Sequence, residues 1–598
     1  MRPTDYRPEI DGLRGLAVLA VMLFHAGVGW AQGGWVGVDI FFVISGYLIT
    51  RLITGQVAQG QFALRDFWLR RIRRVLPALL LVMLLTLPFA VIWLLPGQLR
   101  DYGQSLTATA LMANNILLYL TGGYWAEPVQ FKPLVHSWSL GVEEQFYLIL
   151  PPLMALLARR GGDRGLRVAL GAMVAASYML ALAWAMRDAD AAFLLLPARV
   201  WELGIGGLVA LYPRRTAVAG SGWAAWAGLA MIGAALVLFH DGLGPAPLLM
   251  AAPVAGAALV LRSATPTQGA GRVLSARPLV AVGLVSYSAY LLHQPVFAFW
   301  RLVSWQAPAP ALMALAILPI LIVAWASWRW VETPLRDRGR IADRTVLIAC
   351  GGLTLLLAGT GYALDRTNGG AANWPELAGA GDGASYVDAP RRLAPTRLDP
   401  RLRDGNLLVI GNSMARDAIN MAVDGGGIAP ARVAYVEQDS CSRAAISASL
   451  ALAGRADTVI VATSIGREQA PCYRLWAQRL AAAGVAHPLV LAPKQFGWSI
   501  NPALRLPPAE RIALRVAPLA PYPAILRELQ EVLPAGQVLD PLGGVRDAQG
   551  RVPLFTPDGL LVTQDRRHLT PAGARWLGGM LFQAPQLRHL RSAPRDQS

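Results

Sequence analysis

The chain has 598 residues, 55% of them hydrophobic and only 15% charged, with a mean hydropathy of +0.42. Soluble domains carry about a quarter charged residues, so a wholly soluble protein is excluded and a membrane protein is expected. The formal net charge of +17 does not argue for nucleic acid, because the arginines gather in loops between apolar runs and no basic stripe with interleaved aromatics occurs.

The first apolar run, 13–30, is followed almost at once by a second, 35–53, with no small-residue cleavage site between them. It therefore reads as a membrane span and not as a cleaved leader. Runs of about 20 residues recur at 76–95, 168–186, 311–331 and 346–364, and a further one at 194–212 is interrupted by Arg199 and Glu202. Arg70, Arg71, Arg73 and Arg74 follow the second span, and further basic loops lie at 159–167, 214–215, 262–277 and 329–344. The alternate loops, around Asp188, Asp241 and 304–308, carry little positive charge. Basic loops face the cytoplasm, so the alternation holds only if 102–120 does not cross. About eleven spans result, with the N-terminus inside and the C-terminus outside.

Ionisable side chains within spans are costly and mark functional candidates. Arg14 and His25 are eleven positions apart in the first run. On a helix that is three turns plus about 20°, so both project from one face about 16 Å apart. Asp39 opens the second run, Glu143 and Glu144 follow His136 into a later one, and Tyr287 precedes His293 by six residues. A carboxylate at the depth of His25 would orient its imidazole as a general base, and Glu143 and Glu144 are the candidates for that role. The arginine cluster is suited to gripping phosphates at the cytoplasmic edge.

These residues stand in a recognisable order: Arg-Pro-Glu-Ile-Asp-Gly-Leu-Arg-Gly at 7–15 with His25, Gly-Trp-Val-Gly-Val-Asp-Ile-Phe-Phe from Gly34, and Ser-Trp-Ser-Leu-Gly-Val-Glu-Glu-Gln-Phe-Tyr from Ser137. With Tyr287, His293 and Trp-Val-Glu-Thr-Pro from Trp330, residues 1–340 resemble the membrane acyltransferase-3 family. The resemblance implies transfer of an acyl group, usually acetyl from acetyl-CoA, across the inner membrane of a bacterium to a cell-envelope glycan or lipid-linked glycan. Its Arg-x10-His motif falls on Arg14 and His25. Its Arg-x-x-Arg motif falls on Arg71 and Arg74, although Arg70 and Arg73 have the same spacing. Residues 341–364 add one further span. A transporter with an accessory binding domain is the competing reading of the bundle, but no internal repeat supports it.

Beyond Asp365 the composition turns ordinary. Residues 365–400, rich in Gly, Ala, Asp and Pro, read as a linker, and 401–598 as a globular domain. Short apolar runs at 407–410, 433–436, 458–462, 489–492 and 538–539 alternate with helical stretches, which predicts an α/β domain with a mainly parallel sheet. The first strand runs into Gly411-Asn412-Ser413, a turn that exposes a serine at a helix N-terminus. Near the end, Asp565 and His568 are three residues apart, close enough to pair while the histidine faces a serine. Together these resemble the SGNH (GDSL-like) hydrolases. The resemblance implies a three-layer periplasmic domain with Ser413 as nucleophile, His568 as base and Asp565 as its orienter. The sequence departs from that pattern at Asn412, where Asp is usual, at Met414, where His is common, and in lacking a Gly-x-Asn near 458–466; the Ser413 N–H and a glycine of 425–427 are the substitutes expected for the oxyanion. A membrane-anchored esterase is the alternative this domain suggests. Cys441 and Cys472 both fall in it, where an oxidising compartment permits a disulfide, whereas Cys350 lies in the last span. No metal motif is found, and membrane lipid is the expected surroundings of the first half.

Overall fold

The computed structural model describes residues 6–122, 128–212, 222–240, 243, 247–373, 383–393, 405–438, 449–450, 453, 456–463 and 470–591. The chain divides into two compact units. Met1–Trp93, Gln98–Arg301 and Pro308–Arg366 make the first, and Thr367–Ser598 with Leu94–Gly97 and Leu302–Ala307 make the second.

The first unit is helical. Its principal elements here are α1 (Pro8–His25), α2 (Gly37–Ala58), α3 (Leu64–Trp93), α4 (Ser137–Ala185), α5 (Leu196–Leu211), α6 (Ser286–Val303) and α7 (Asp343–Arg366). Among the described residues seven segments are long and apolar enough to cross a membrane, or eight when Arg277–Leu284 and α6, which meet at 71°, count as one bent span. That is fewer than the eleven expected. Gly222–Leu238 and Pro247–Ser263 are apolar but have 17 residues each, and α1 carries Glu9, Asp11 and Arg14 within its 18. The charges that make α1 interesting are what lower its hydropathy.

The α4 helix breaks at Gly162, whose φ of +56° only glycine tolerates cheaply, into spans Ser137–Leu157 and Arg164–Ala185. Between α3 and α4 lie two short helices, Pro96–Ala110 and Asn114–Thr121, separated at Met112 with φ +55°. Neither spans a bilayer by length. The two asparagines of this stretch tie it to neighbouring backbone. Asn114 Nδ2 donates to the Leu134 carbonyl at 3.0 Å and Asn115 Nδ2 to the Leu194 carbonyl at 3.1 Å.

Helices α2 and α5 cross closely. A Cβ on Gly46 would come within 1.8 Å of the Leu203 carbonyl oxygen, and one on Gly206 within 1.9 Å of that of Val43. Small residues permit that approach, which is how helices gain packing energy where lipid competes for apolar surface. The contact also buries the charges that interrupted the fifth helix. Arg199 pairs with Asp39 at 2.5 Å and Glu202 at 3.1 Å, its guanidinium 5.3–5.6 Å from the ring centres of Phe42, Trp138 and Phe193. Asp39 thus joins helices across the bundle.

The second unit holds a five-stranded parallel sheet, order β2-β1-β3-β4-β6, from β1 (Leu407–Gly411), β2 (Val433–Glu437), β3 (Thr458–Ala462), β4 (His487–Leu491) and β6 (Val538–Leu539). A small antiparallel pair, β5 (Arg515–Val516) with β7 (Val552–Pro553), stands apart. Successive side chains of a strand point to opposite faces. Leu407, Val409 and Ile460 accordingly enter one core with helices α8 (Ser413–Asn420) and α9 (Pro571–Leu581), while Leu408, Ile410, Val459 and Val461 enter another with Trp476, Leu480, Ile525 and Leu529. With helices on both faces of the sheet, the domain is three-layered.

The linker is shorter than its composition suggested. Tyr386 donates to Asp424 at 2.5 Å and the Tyr435 amide donates to the Leu393 carbonyl at 2.9 Å, so residues 386–393 dock on the second unit's core. Glycine and proline content marks where a chain need not be regular, not where it fails to pack. Cys472 is disulfide-bonded and Cys350 is free, while Cys441 lies outside the described residues.

Candidate active sites

Apart from Asp39, paired with Arg199, the polar residues singled out from sequence in the first unit fall into two places. Arg14 of α1, Ser45 of α2, Arg71 and Arg74 of α3, Glu143 of α4 and Tyr287 of α6 line one cavity. The four-arginine cluster sorts itself by helical angle. Arg73 is turned away, donating to Asp343 at 2.7 Å and to the Leu335 and Ile341 carbonyls, and Arg70 is exposed beside Gln56. Arg71 and Arg74 face inward instead. Arg71 lies 2.7 Å from Glu144 and 3.2 Å from Glu143, stacked 3.9 Å from the Tyr147 ring centre. Glu143 also accepts from Ser45 and Tyr147, each at 2.5 Å, and Arg14 reaches Asp11 at 3.2 Å. Arg74 makes no hydrogen bond or salt bridge among the described residues. Tyr287 donates to the Val75 carbonyl at 2.8 Å, fixing α6 against α3.

This geometry corrects the assignment of Glu143 and Glu144 to His25. They lie about two turns into α4, roughly 10 Å along its axis from His136, and Arg71 holds both. A guanidinium between two carboxylates satisfies more buried charge than an imidazole would.

His25 ends α1, and its neighbour is another histidine. The rings of His25 and His293 lie 5.2 Å apart, and that of His136 lies 5.5 Å from His293. His293 Nδ1 bonds the Tyr290 carbonyl at 2.6 Å, which leaves Nε2 as the nitrogen not held by that bond. His293 Nε2 is buried without a hydrogen-bond partner among the described residues, and His136 is buried beside it. Arg301 donates to the His25 carbonyl and so holds the end of α1. Sequence reasoning passed over His136 as a candidate, although it opens the motif at Ser137. Glu332 of the Trp-Val-Glu-Thr-Pro segment is buried and accepts from Ser288 and Arg336.

In the second unit Ser413, His568 and Asp565 stand in line. Ser413 Oγ is 2.9 Å from His568 Nε2, and His568 Nδ1 is 2.5 Å from Asp565 Oδ2. Ser413 and His568 are both buried. Local structure accounts for each position. Gly411 has φ +149°, and a Cβ there would lie 1.8 Å from the Ala462 carbonyl oxygen, so the turn out of β1 needs glycine. Asn412 then caps α8 by accepting from the Met414 amide at 3.1 Å, which Asn does as well as Asp. Asp565 Oδ1 accepts from the Arg567 and His568 amides at 2.9 and 2.7 Å, a turn that presents Oδ2 to the imidazole. Burial pushes the Asp565 carboxyl up, but the charge and hydrogen bond of His568 and those two amides outweigh it and hold the group well below the usual carboxylate range.

Two residues of this site escaped the sequence reading. Asp417, one turn after Ser413, accepts the Leu569 amide at 3.3 Å and pairs with Lys494 at 2.6 Å, all buried. Asp417 therefore ties the helix of Ser413 to the residue after His568. A signal existed: Lys494 is one of two lysines in a chain otherwise basic through arginine, and it closely follows a strand. The suggested oxyanion donors at 425–427 are excluded. They lie twelve or more residues along from Ser413, about 18 Å of helix, where Gly425 packs on the Arg575 carbonyl of α9. Residues 464–466 lie outside the described residues.

The acyltransferase-3 family, described as "Acyltransferase domain", matches residues 7–329, more than half of the chain. The protein belongs to that family and is a multi-pass membrane acyltransferase. It is 33% identical over 365 residues to the "Putative membrane-bound transacylase BcsY" of Komagataeibacter xylinus, covering 60% of this chain and 92% of that one. It is 28% identical to the O-acetyltransferase OatA of Staphylococcus aureus over 56% of this chain and 58% of that one. Similarity to the peptidoglycan O-acetyltransferase OatA of Listeria monocytogenes is 29%, over 56% and 57%. The chain thus spans under two thirds of either OatA protein. No solved structure matches.

Proposed function

We propose that this protein moves an acyl group, acetyl in the simplest case, from cytoplasmic acyl-CoA across the inner membrane to a hydroxyl of a cell-envelope glycan. The observation that carries the proposal is the Ser413–His568–Asp565 alignment, 2.9 and 2.5 Å between successive members, in a chain whose other unit is a membrane acyltransferase. The names of the OatA relatives favour an O-acetyl transfer and a glycan acceptor.

In this reading α1, Gly222–Leu238 and Pro247–Ser263 also cross, which makes eleven spans with the bent pair. An odd number with basic loops inside leaves the C-terminal unit in the periplasm, where the Cys472 disulfide is stable. Arg14, Arg71 and Arg74 hold the phosphates of the donor, with Arg74 the cation of this cavity that makes no salt bridge among the described residues. His25, beside His293, handles the proton as the acyl group leaves the thioester. Ser413 then takes the acyl group as the thioester C–S bond breaks and CoA leaves as its thiol: His568 Nε2 accepts the hydroxyl proton and gives it up again, Oγ forms the ester, and the same nitrogen then deprotonates the sugar hydroxyl that displaces Ser413 and returns that proton to Oγ. The domain is of SGNH type in this proposal. Its test is full-length Ser413→Ala in a deletion strain, with envelope acetate measured by mass spectrometry. Loss of glycan acetate is expected while the protein remains in the membrane. Acetylation at the normal rate in that strain would reduce the second unit to a binding module.

A further inference from the structure

The sheet of the second unit has two edges, and only the carboxyl edge carries Ser413. At the opposite edge, where β3 and β4 begin, three metal-ligating side chains converge. Asp457 immediately precedes β3, His487 is the first residue of β4, and His589 lies in the short helix Arg588–Arg591 near the end of the chain. Parallel pairing sets Thr458 opposite His487, and the His487 amide donates to the Asp457 carbonyl at 3.1 Å, so the first two are fixed by the sheet. The third arrives from the C-terminus, with its Nε2 2.8 Å from Asp457 Oδ2 and its ring centre 4.3 Å from that of His487. One ligand atom from each residue lies within 4.8 Å of the other two, and all three residues are half-buried.

We propose that Asp457, His487 and His589 bind a single zinc ion that clips the C-terminal helix to the amino edge of the sheet. Zinc takes imidazole nitrogen and carboxylate oxygen at about 2.0–2.2 Å, which places the ligands of a tetrahedral site about 3.3–3.5 Å apart. The Asp457–His589 separation is 2.8 Å and the others lie within 4.8 Å, so small side-chain rotations about fixed backbone reach that spacing. Two imidazoles select zinc over magnesium or calcium, which prefer all-oxygen shells. Solvent supplies the remaining coordination, with Thr458 Oγ1, 3.3 Å from Asp457 Oδ2, beside the site as a donor to that carboxylate. Binding displaces the hydrogen bonds of His589 Nε2 to Asp457 and Thr458 and any proton on the ligand nitrogens. No sequence motif announces the site, because the ligands stand 30 and 102 residues apart, at positions 457, 487 and 589.

The ion's role is structural. Ser413 follows the carboxyl end of β1 whereas Asp457 is level with its start, roughly 16 Å away along the strand direction. A clip there stabilises whichever states have α9 and the last helix docked, without touching the triad, and it does not depend on the proposed acyl transfer.

The test uses the full-length protein in detergent, with any affinity tag removed, stripped with chelator and dialysed against zinc chloride. One equivalent of zinc per chain is expected to survive desalting, and the melting temperature of the second unit should rise when zinc is restored. His487→Ala is the discriminating variant, since it keeps the Asp457–His589 bond and hence the apo fold. It should lose the retained zinc and the zinc-dependent shift while melting, without metal, near the stripped wild type. Asp457→Asn should do the same. Zinc retained undiminished in both variants, or none retained by the wild type, would overturn the site.

Discussion

The two units treat their reactive groups in opposite ways. In the C-terminal unit every member of the triad is partnered within the protein: Ser413 on His568, His568 on Asp565, Asp565 on two backbone amides. Among the described residues of the membrane unit, His293 Nε2 is buried without a hydrogen-bond partner and Arg74 lines a cavity without an ion pair. Unpaired buried polar groups cost about 1–3 kcal/mol each, and they persist where a ligand completes them. One site is preorganised for a proton relay, and the other for something that arrives.

Breaking each site should therefore look different. The largest effect belongs to the nucleophile. Ser413→Ala should lower turnover of small activated esters by roughly 10⁴-fold or more, measured on purified protein, and Asp565→Asn should follow at about 10⁴-fold by releasing the imidazole's orientation. A loss under tenfold in either would mean that the aligned triad is not the catalyst. In the membrane unit, His25→Ala should abolish glycan acetate with insertion intact; normal acetate content would remove His25 from the chemistry.

Arg71 and Arg74 sharpen the contrast. Arg71→Ala strands two carboxylates and is expected to destabilise the bundle by about 3–5 kcal/mol. Arg74→Ala breaks no pair, so it should melt like wild type yet raise KM for acyl-CoA by about 10–100-fold, the worth of one hydrogen bond to a charged group. Unchanged donor affinity in Arg74→Ala would assign the cavity to another ligand.

The smallest effect is acid sensitivity. Asp565 is depressed in the folded state, so it contributes stability that is present above its unfolded pKa, about 3.9, and is lost as pH falls through the folded value. Wild type should lose stability relative to Asp565→Asn only below about pH 4, as chemical unfolding at pH 7 and pH 3 would show. Equal differences at both would place the carboxylate's partner outside the triad.

Much of this was legible in the sequence because it is local or periodic. Apolar runs identified the bundle, Gly411-Asn412-Ser413 announced the turn, and Asp565 with His568 sit on one short hairpin whose own amides orient the carboxylate. Arg71 and Arg74 could be named but not separated from Arg70 and Arg73, since identical spacing says nothing about which face α3 turns inward.

What chain chemistry settled alone is the membrane class and the layered second domain, and it named the candidate reactive side chains, because hydropathy, strand period and residue type act over a few neighbours. Tertiary structure decided the partners. It took Glu143 and Glu144 from His25 and gave them to Arg71, set His136 and His293 beside His25, paired Lys494 with Asp417 behind the triad, and folded part of the expected linker onto a core. Each of these is a choice among distant charges and apolar surfaces, settled by which arrangement leaves the least uncompensated burial, and that sum exists only when the helices and strands are packed.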